Sequence, residues 1–121
     1  MLKPNKLVNN NFLSSLDITT DEVFHILELA KNYKYKKIEI SPNNKVLGLI
    51  FDKSSTRTRV SFQVAMSRLG GSTIDLNPTT SQIGRGEPIK DTARVLSRYC
   101  DVIAIRTFNH SDLEEYAKWS S

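Results

Sequence analysis

The stretch KVLGLIFDKSSTRTRVSFQVAMSRLGGSTIDL, residues 45–76, decides how the chain folds. Lys45 to Phe51 is a short run of mostly large apolar residues, the pattern of a strand covered on both faces. From Thr58 the period changes: Val60, Val64 and Leu69, with Ala65 and Met66, suit a helix. Gly70-Gly71 then supplies the left-handed C-cap that ends a helix. Thr73 to Leu76 reads as a second short strand.

Working outward, Thr19-Thr20-Asp21-Glu22 fits the S/T-x-x-E capping box, and Val23, Ile26, Leu27 and Ala30 come after it at helical spacing. This predicts a helix from about Thr20 to Tyr35, and Ser41-Pro42-Asn43-Asn44 is turn chemistry. Asn77 to Glu87 carries Pro78, Gly84 and Gly86 among Thr, Ser and Gln, which marks a long surface loop. Loops of that length in compact domains tend to be functional or disordered. A third helix is expected from Pro88, a favoured first-turn residue, through Ala93, Leu96 and Tyr99, with Asp101 closing it. Val102-Ile103-Ala104-Ile105 is a third buried strand ending at Arg106, and Ser111-Asp112-Leu113-Glu114 is a second capping box opening a last helix towards Trp119. Strand and helix alternate from Lys45 onward, which predicts an α/β fold of three layers: a parallel sheet with helices on both faces, joined by right-handed crossovers.

Composition is compatible with one soluble domain. At 121 residues, 39% hydrophobic and 25% charged, the chain could bury roughly two thirds of its unfolded surface around a single core. No apolar run approaches the ~20 residues of a membrane span. Met1-Leu2-Lys3-Pro4-Asn5-Lys6 precedes no apolar export signal, and the single Cys100 cannot form an internal disulfide, so a cytoplasmic location is expected. Cys100 reads as a small buried helix residue, and His25 and His110 have no visible catalytic pairing.

Seventeen Lys and Arg against thirteen Asp and Glu give a net charge of +4, which suits an anionic partner without naming it. Lys31, Lys34, Lys36 and Lys37, interleaved with Tyr33 and Tyr35, could be offered as a nucleic-acid patch. Cations in the last turn of a helix complement its dipole and account for the cluster better, so no nucleic acid is expected.

Ser54-Ser55-Thr56-Arg57-Thr58-Arg59 is the clearest ligand signal. A helix N-terminus leaves backbone N–H groups unpaired, Ser55, Thr56 and Thr58 add hydroxyls, and Arg57 adds a planar fork matched to phosphate oxygens. The alternative is that Ser55 or Thr56 merely caps the helix and the arginines are solvated. No G-x-x-x-x-G-K-[ST] or G-x-G-x-x-G is present. Arg106, directly after an apolar strand, is expected to be partly desolvated and to need an anionic partner. In parallel sheets ligands sit beyond the carboxyl ends of the strands. The segment at Ser55, the loop bearing Gln82 and Arg106 come after three successive strands and so lie on one edge.

Residues 51–62, FDKSSTRTRVSF, resemble the carbamoyl phosphate motif of the aspartate and ornithine carbamoyltransferases, and residues 82–98, QIGRGEPIKDTARVLSR, resemble the ornithine branch in particular. The resemblance covers essentially the whole chain. It implies that Ser55, Thr56, Arg57 and Thr58 hold the phosphate of carbamoyl phosphate, that Arg106 and Thr58 polarise its carbonyl, and that Gln82 reaches the phosphate bound by a neighbouring subunit of a homotrimer. Arg57, Thr58 and Arg106 are the implied catalytic residues. Ornithine would be the acceptor, and neither metal nor organic cofactor is implied. Gln63 stands where the family commonly has Glu. The family's H-P-C-Q segment and its amino-acid-binding second domain are not among these residues, so the chain is expected to be an incomplete N-terminal carbamoyl phosphate domain, inactive alone and left with an exposed sheet edge. A carbamoyltransferase of putrescine or aspartate, or a non-catalytic anion-binding module, remain the alternatives.

Overall fold

The structure, a computed structural model, describes residues 7–51, 55–76 and 88–120. The chain separates into two compact units, Met1–Ile40 and Ser41–Ser121.

In the described part of the first unit, a 3-10 turn (Ser15–Asp17) precedes helix α1 (Thr20–Lys34). Both are opened by capping boxes. The box at Thr19 and Glu22 obeys the S/T-x-x-E rule, whereas the one at Ser14 uses Asp17, an acid the rule does not anticipate. The helix ends within a residue of its predicted end, with Lys31 and Lys34 in its last turn. Its apolar stripe is exposed, Val23, Ile26 and Leu27 included, so helical spacing does not signal burial here. Among the described residues of this unit, a short turn and irregular chain accompany α1, too little surface to cover a helix face.

The second unit holds β1 (Val46–Phe51), α2 (Thr56–Leu69), β2 (Ser72–Leu76), α3 (Ile89–Tyr99), β3 (Val102–Arg106) and α4 (His110–Trp119). The sheet is parallel with order β2-β1-β3. β1 is therefore central, and Leu47 through Phe51 are all buried, as a strand covered on both faces must be. Alternate residues of β1 feed two cores. Leu47, Leu49 and Phe51 meet Met66 of α2, while Ile50 on the opposite face packs with Ala93 of α3 and Tyr116 of α4. From β1 the chain steps to one side through α2 and then back across to β3 through α3, and reversal of direction at constant crossover hand puts α3 on the opposite face.

Three expectations about this unit change. The apolar run of β3 predicts burial, yet β3 is an edge strand among the described residues, and Val102 is exposed. On α2, Val60 and Val64 are exposed, and of the residues that mark its helical period Met66 and Leu69 are the half-buried ones, together with Arg59 and Gln63. Tyr99 at the end of α3 is exposed as well. In each case helical or strand period identified the element, while the packing partner chose the face.

The ends of elements show the same division. Gly70 adopts φ +88°, and its N–H and that of Gly71 return to carbonyls of the last turn of α2, as a left-handed cap requires. The second capping box does not form: Asn109 is the N-cap of α4, His110 begins the helix, and Ser111 lies inside it. His110 Nε2 instead lies 3.4 Å from Oε1 of Glu114, one turn on. Cys100 is buried, but as the residue that ends α3 rather than one within it, and burial pushes its thiol upward, with the charge of Asp101 adding to the effect. A Cβ on Gly48 would lie 2.9 Å from the Cys100 sulfur, so the glycine is what admits this side chain. Asp101 starts β3 by accepting the backbone N–H of Val46 at 2.8 Å.

Candidate anion site at the carboxyl edge of the sheet

The switch in strand order falls at β1, the strand with neighbours on both sides. Ligands in parallel sheets bind beyond the carboxyl end of the strand at such a point. Ser55 to Thr58 come after β1 as the start of α2, which begins two residues earlier than periodicity predicts. Arg106, the last residue of β3, is the register partner of Phe51, the last residue of β1. The fold thus brings the first and third predicted segments to the same edge. Gln82 and its loop lie outside the described residues.

Ser55 is the N-cap of α2, yet its side chain makes no capping hydrogen bond. The Ser55 side chain therefore leaves the first backbone N–H groups of the helix to other acceptors. Charge sharpens the contrast with ordinary helices. The first turn of α2 contains no acidic residue and holds Arg57 and Arg59. Two cations at the positive end of a helix dipole oppose the usual preference, which is met when an anion binds there.

The two arginines are differently placed. Arg57 is exposed, and no carboxylate lies within ion-pair distance of it among the described residues. Arg59 faces the sheet, its Nε 3.3 Å from Oδ2 of Asp75 on β2 and its guanidinium 5.7 Å from the centroid of the Phe51 ring. Arg106 corrects an expectation: it is exposed rather than partly desolvated, because it ends an edge strand with β1 on one side only. An exposed guanidinium needs no structural carboxylate, and none is paired with it among the described residues. Among the described residues, this edge offers the start of α2, where the Ser55 side chain makes no capping bond, the hydroxyls of Ser55, Thr56 and Thr58, and the cations Arg57 and Arg106. Among the described residues no group of His, Cys, Asp or Glu side chains is placed to hold a metal ion, and no helix is long and apolar enough to cross a membrane.

Sequence reasoning missed the Arg59–Asp75 pair. The available signal was Asp75 itself, a carboxylate within an otherwise apolar strand end, where a charge calls for a partner.

Residues 10–121 match the family model described as aspartate/ornithine carbamoyltransferase, carbamoyl-P binding domain. The ornithine carbamoyltransferase of Prochlorococcus marinus strain MIT 9312 is 87% identical over 121 residues, covering 100% of this chain and 39% of that protein. The crystal structure of ornithine carbamoyltransferase from Gloeobacter violaceus superposes with a TM-score of 0.84 at 45% identity, over 96% of this chain and 37% of that one. Aspartate transcarbamoylase from Trypanosoma cruzi, in complex with carbamoyl aspartate and phosphate, gives a TM-score of 0.79 at 28% identity, over 89% of this chain and 35% of that one. The chain thus spans about two fifths of the length of the curated relatives it matches.

Proposed function

The chain belongs to the aspartate/ornithine carbamoyltransferase family, and on that premise we propose that it is the N-terminal carbamoyl-phosphate-binding part of an enzyme that carbamoylates the side-chain amine of ornithine. The observation that carries this reading is the 87% identity, along the whole chain, to a protein named ornithine carbamoyltransferase. A helix start with two arginines, no acid in its first turn and no capping bond from Ser55 supports the phosphate half separately.

In the proposed reaction the ornithine amine attacks the carbonyl carbon of carbamoyl phosphate, and the carbonyl electrons move onto oxygen. Arg106 and the Thr58 hydroxyl stabilise that developing negative charge, which preorganised donors do best. Collapse of the tetrahedral intermediate breaks the carbon–oxygen bond to phosphate, the amine loses its extra proton, and citrulline and phosphate result. Ser55, Thr56, Thr58 and the first N–H groups of α2 hold the phosphate, and the bidentate fork of Arg57 neutralises charge on it as it leaves. Gln82 would reach the phosphate of a neighbouring subunit in a homotrimer, and the acceptor would be held by a part of the protein outside these residues. The site would operate in the cytoplasm.

Titration calorimetry of the chain with carbamoyl phosphate tests the binding half; heat of binding lost on Arg57→Ala is expected, and its absence from the unaltered chain would refute the site. Citrulline formation by the protein carried to the full length of its relatives tests the acceptor. Turnover of putrescine or aspartate in preference to ornithine would reassign it.

A further inference from the structure

We propose that Arg59 and Asp75 form a positioning clamp for the anion site, holding the first turn of α2 against the carboxyl ends of β1 and β2. The proposal rests on reading the Ser55–Thr58 turn as the carbamoyl phosphate site and adds two residues that do not touch the ligand.

Two contacts converge on one guanidinium. Arg59 lies in the first turns of α2, its Nε 3.3 Å from Asp75 Oδ2 and its Cζ 5.7 Å from the centre of the Phe51 ring. Phe51 in turn meets Phe62 edge-on, with ring centroids 6.5 Å apart and planes at 83°, so β1 contacts α2 at a second point, one turn beyond Arg59. These partners sit at departure points. Phe51 is the last residue of β1, from which the chain leaves towards Ser55. Asp75 is the penultimate residue of β2, after which the chain leaves towards Gln82. One cation therefore ties the anchor points of two site segments to the helix whose N-terminus meets the anion.

The electrostatics favour the pairing. Asp75 is the register partner of buried Leu49, and its side chain is only 32% exposed, while that of Arg59 is 28% exposed. Because both side chains stay partly exposed, water screens the pair, and its contribution lies in fixing the direction of Arg59 more than in energy. The Arg59 Nε is itself buried and makes no aligned hydrogen bond, so the clamp holds by charge and by packing on the Phe51 ring. A lysine could supply the charge but not a planar group against that ring.

The clamp also divides the labour of two neighbouring arginines. Two residues apart on a helix, Arg57 and Arg59 differ in direction by about 200°. Asp75 holds Arg59 on the sheet side, and Arg57 remains exposed for the phosphate.

The test compares the unaltered chain with Asp75→Asn, Asp75→Glu and Arg59→Lys by two measurements: calorimetric titration with inorganic phosphate and with carbamoyl phosphate at a temperature where every variant is folded, and amide hydrogen exchange across Thr56–Arg59. Asp75→Asn and Arg59→Lys are expected to weaken anion binding about tenfold and to accelerate exchange in that turn, with Asp75→Glu recovering most of both. Faster exchange with unchanged affinity would reduce the pair to a structural brace and overturn the proposal, as would no change in either measurement. Failure of the unaltered chain to bind either anion would refute the site reading and the positioning role with it. The exchange data would then separate that outcome from the absence of a clamp.

Discussion

At the start of α1, Thr19 Oγ1 accepts the backbone N–H of Glu22 at 3.1 Å, and Glu22 Oε1 accepts that of Thr19 at 2.9 Å. The other oxygen of the same carboxylate accepts the N–H of Val8 at 2.8 Å, and Asp21 adds a second acid to the first turn. At the start of α2, Ser55 makes no capping bond and the first turn carries arginines in place of acids. Both helices begin with a Ser or Thr outside the helical conformation, yet one satisfies its own dipole and the other leaves it open. A closed N-terminus contributes stability; an open one flanked by cations is a place for an anion. The difference lies three residues beyond the cap. Glu22 at the third helical position closes the box in α1, and Thr58 occupies that position in α2.

The contrast can be broken from either side. The largest effect is expected from Arg57→Ala, which removes a charge-assisted, bidentate partner worth about 3 kcal/mol and so lowers carbamoyl phosphate affinity by about a hundredfold in calorimetry. Because Arg57 is exposed, thermal unfolding should move little. Ser55→Asp should convert the open start into a closed one, its carboxylate capping the N–H groups of α2 while repelling phosphate. A loss of affinity of about tenfold with equal or higher melting temperature is the expected pairing, consistent with a cap of about 1 kcal/mol. A variant that bound phosphate as well as the original would show that the helix start is not the site.

Thr19→Ala should lower the stability of α1 by about 1 kcal/mol, read by chemical denaturation monitored through a reporter on that helix, and should leave anion binding untouched. The smallest effect concerns pH. The Glu22 carboxyl is held below its ordinary value, first by the backbone N–H of Thr19 and then by that of Val8, both of which favour the charged form. A depressed folded value means that this contribution is fully present above the unfolded pKa and is lost as pH falls through the folded one. The amide shifts of Thr19 and Val8 should track that titration in nuclear magnetic resonance spectra, and Glu22→Gln should abolish it. No matching titration is expected at the first turn of α2, which has no acid to titrate.

Much of this was legible in the chain because the relevant physics is local. The capping box at Thr19, the left-handed glycine at position 70, the apolar run of β1 and the alternation of strands with helices all rest on residues within a few positions of one another. The anion segment was legible for the same reason, since Ser55, Thr56, Arg57 and Thr58 are consecutive. Errors arose where a residue's neighbour in space decides. Val60, Val64 and Met66 share the helical period of α2, but of the three the sheet took only Met66, together with Arg59 and Gln63. Ser111 and Glu114 looked like a cap, but the helix began one residue before the serine, which placed Asn109 at the boundary. Arg106 looked desolvated because its strand is apolar, and an edge position left it exposed.

By itself, then, the amino-acid order determined the elements, their parallel arrangement and the composition of the turn that opens α2, because helical and strand periods, caps and helix dipoles act over one or two turns of chain. Tertiary structure alone decided that β1 is the central strand, that Arg106 stands beside Phe51, and that Arg59 is committed to Asp75 while Arg57 stays exposed. Those outcomes depend on register and on which face meets the sheet, and they join residues 16 to 55 positions apart whose proximity no local rule encodes.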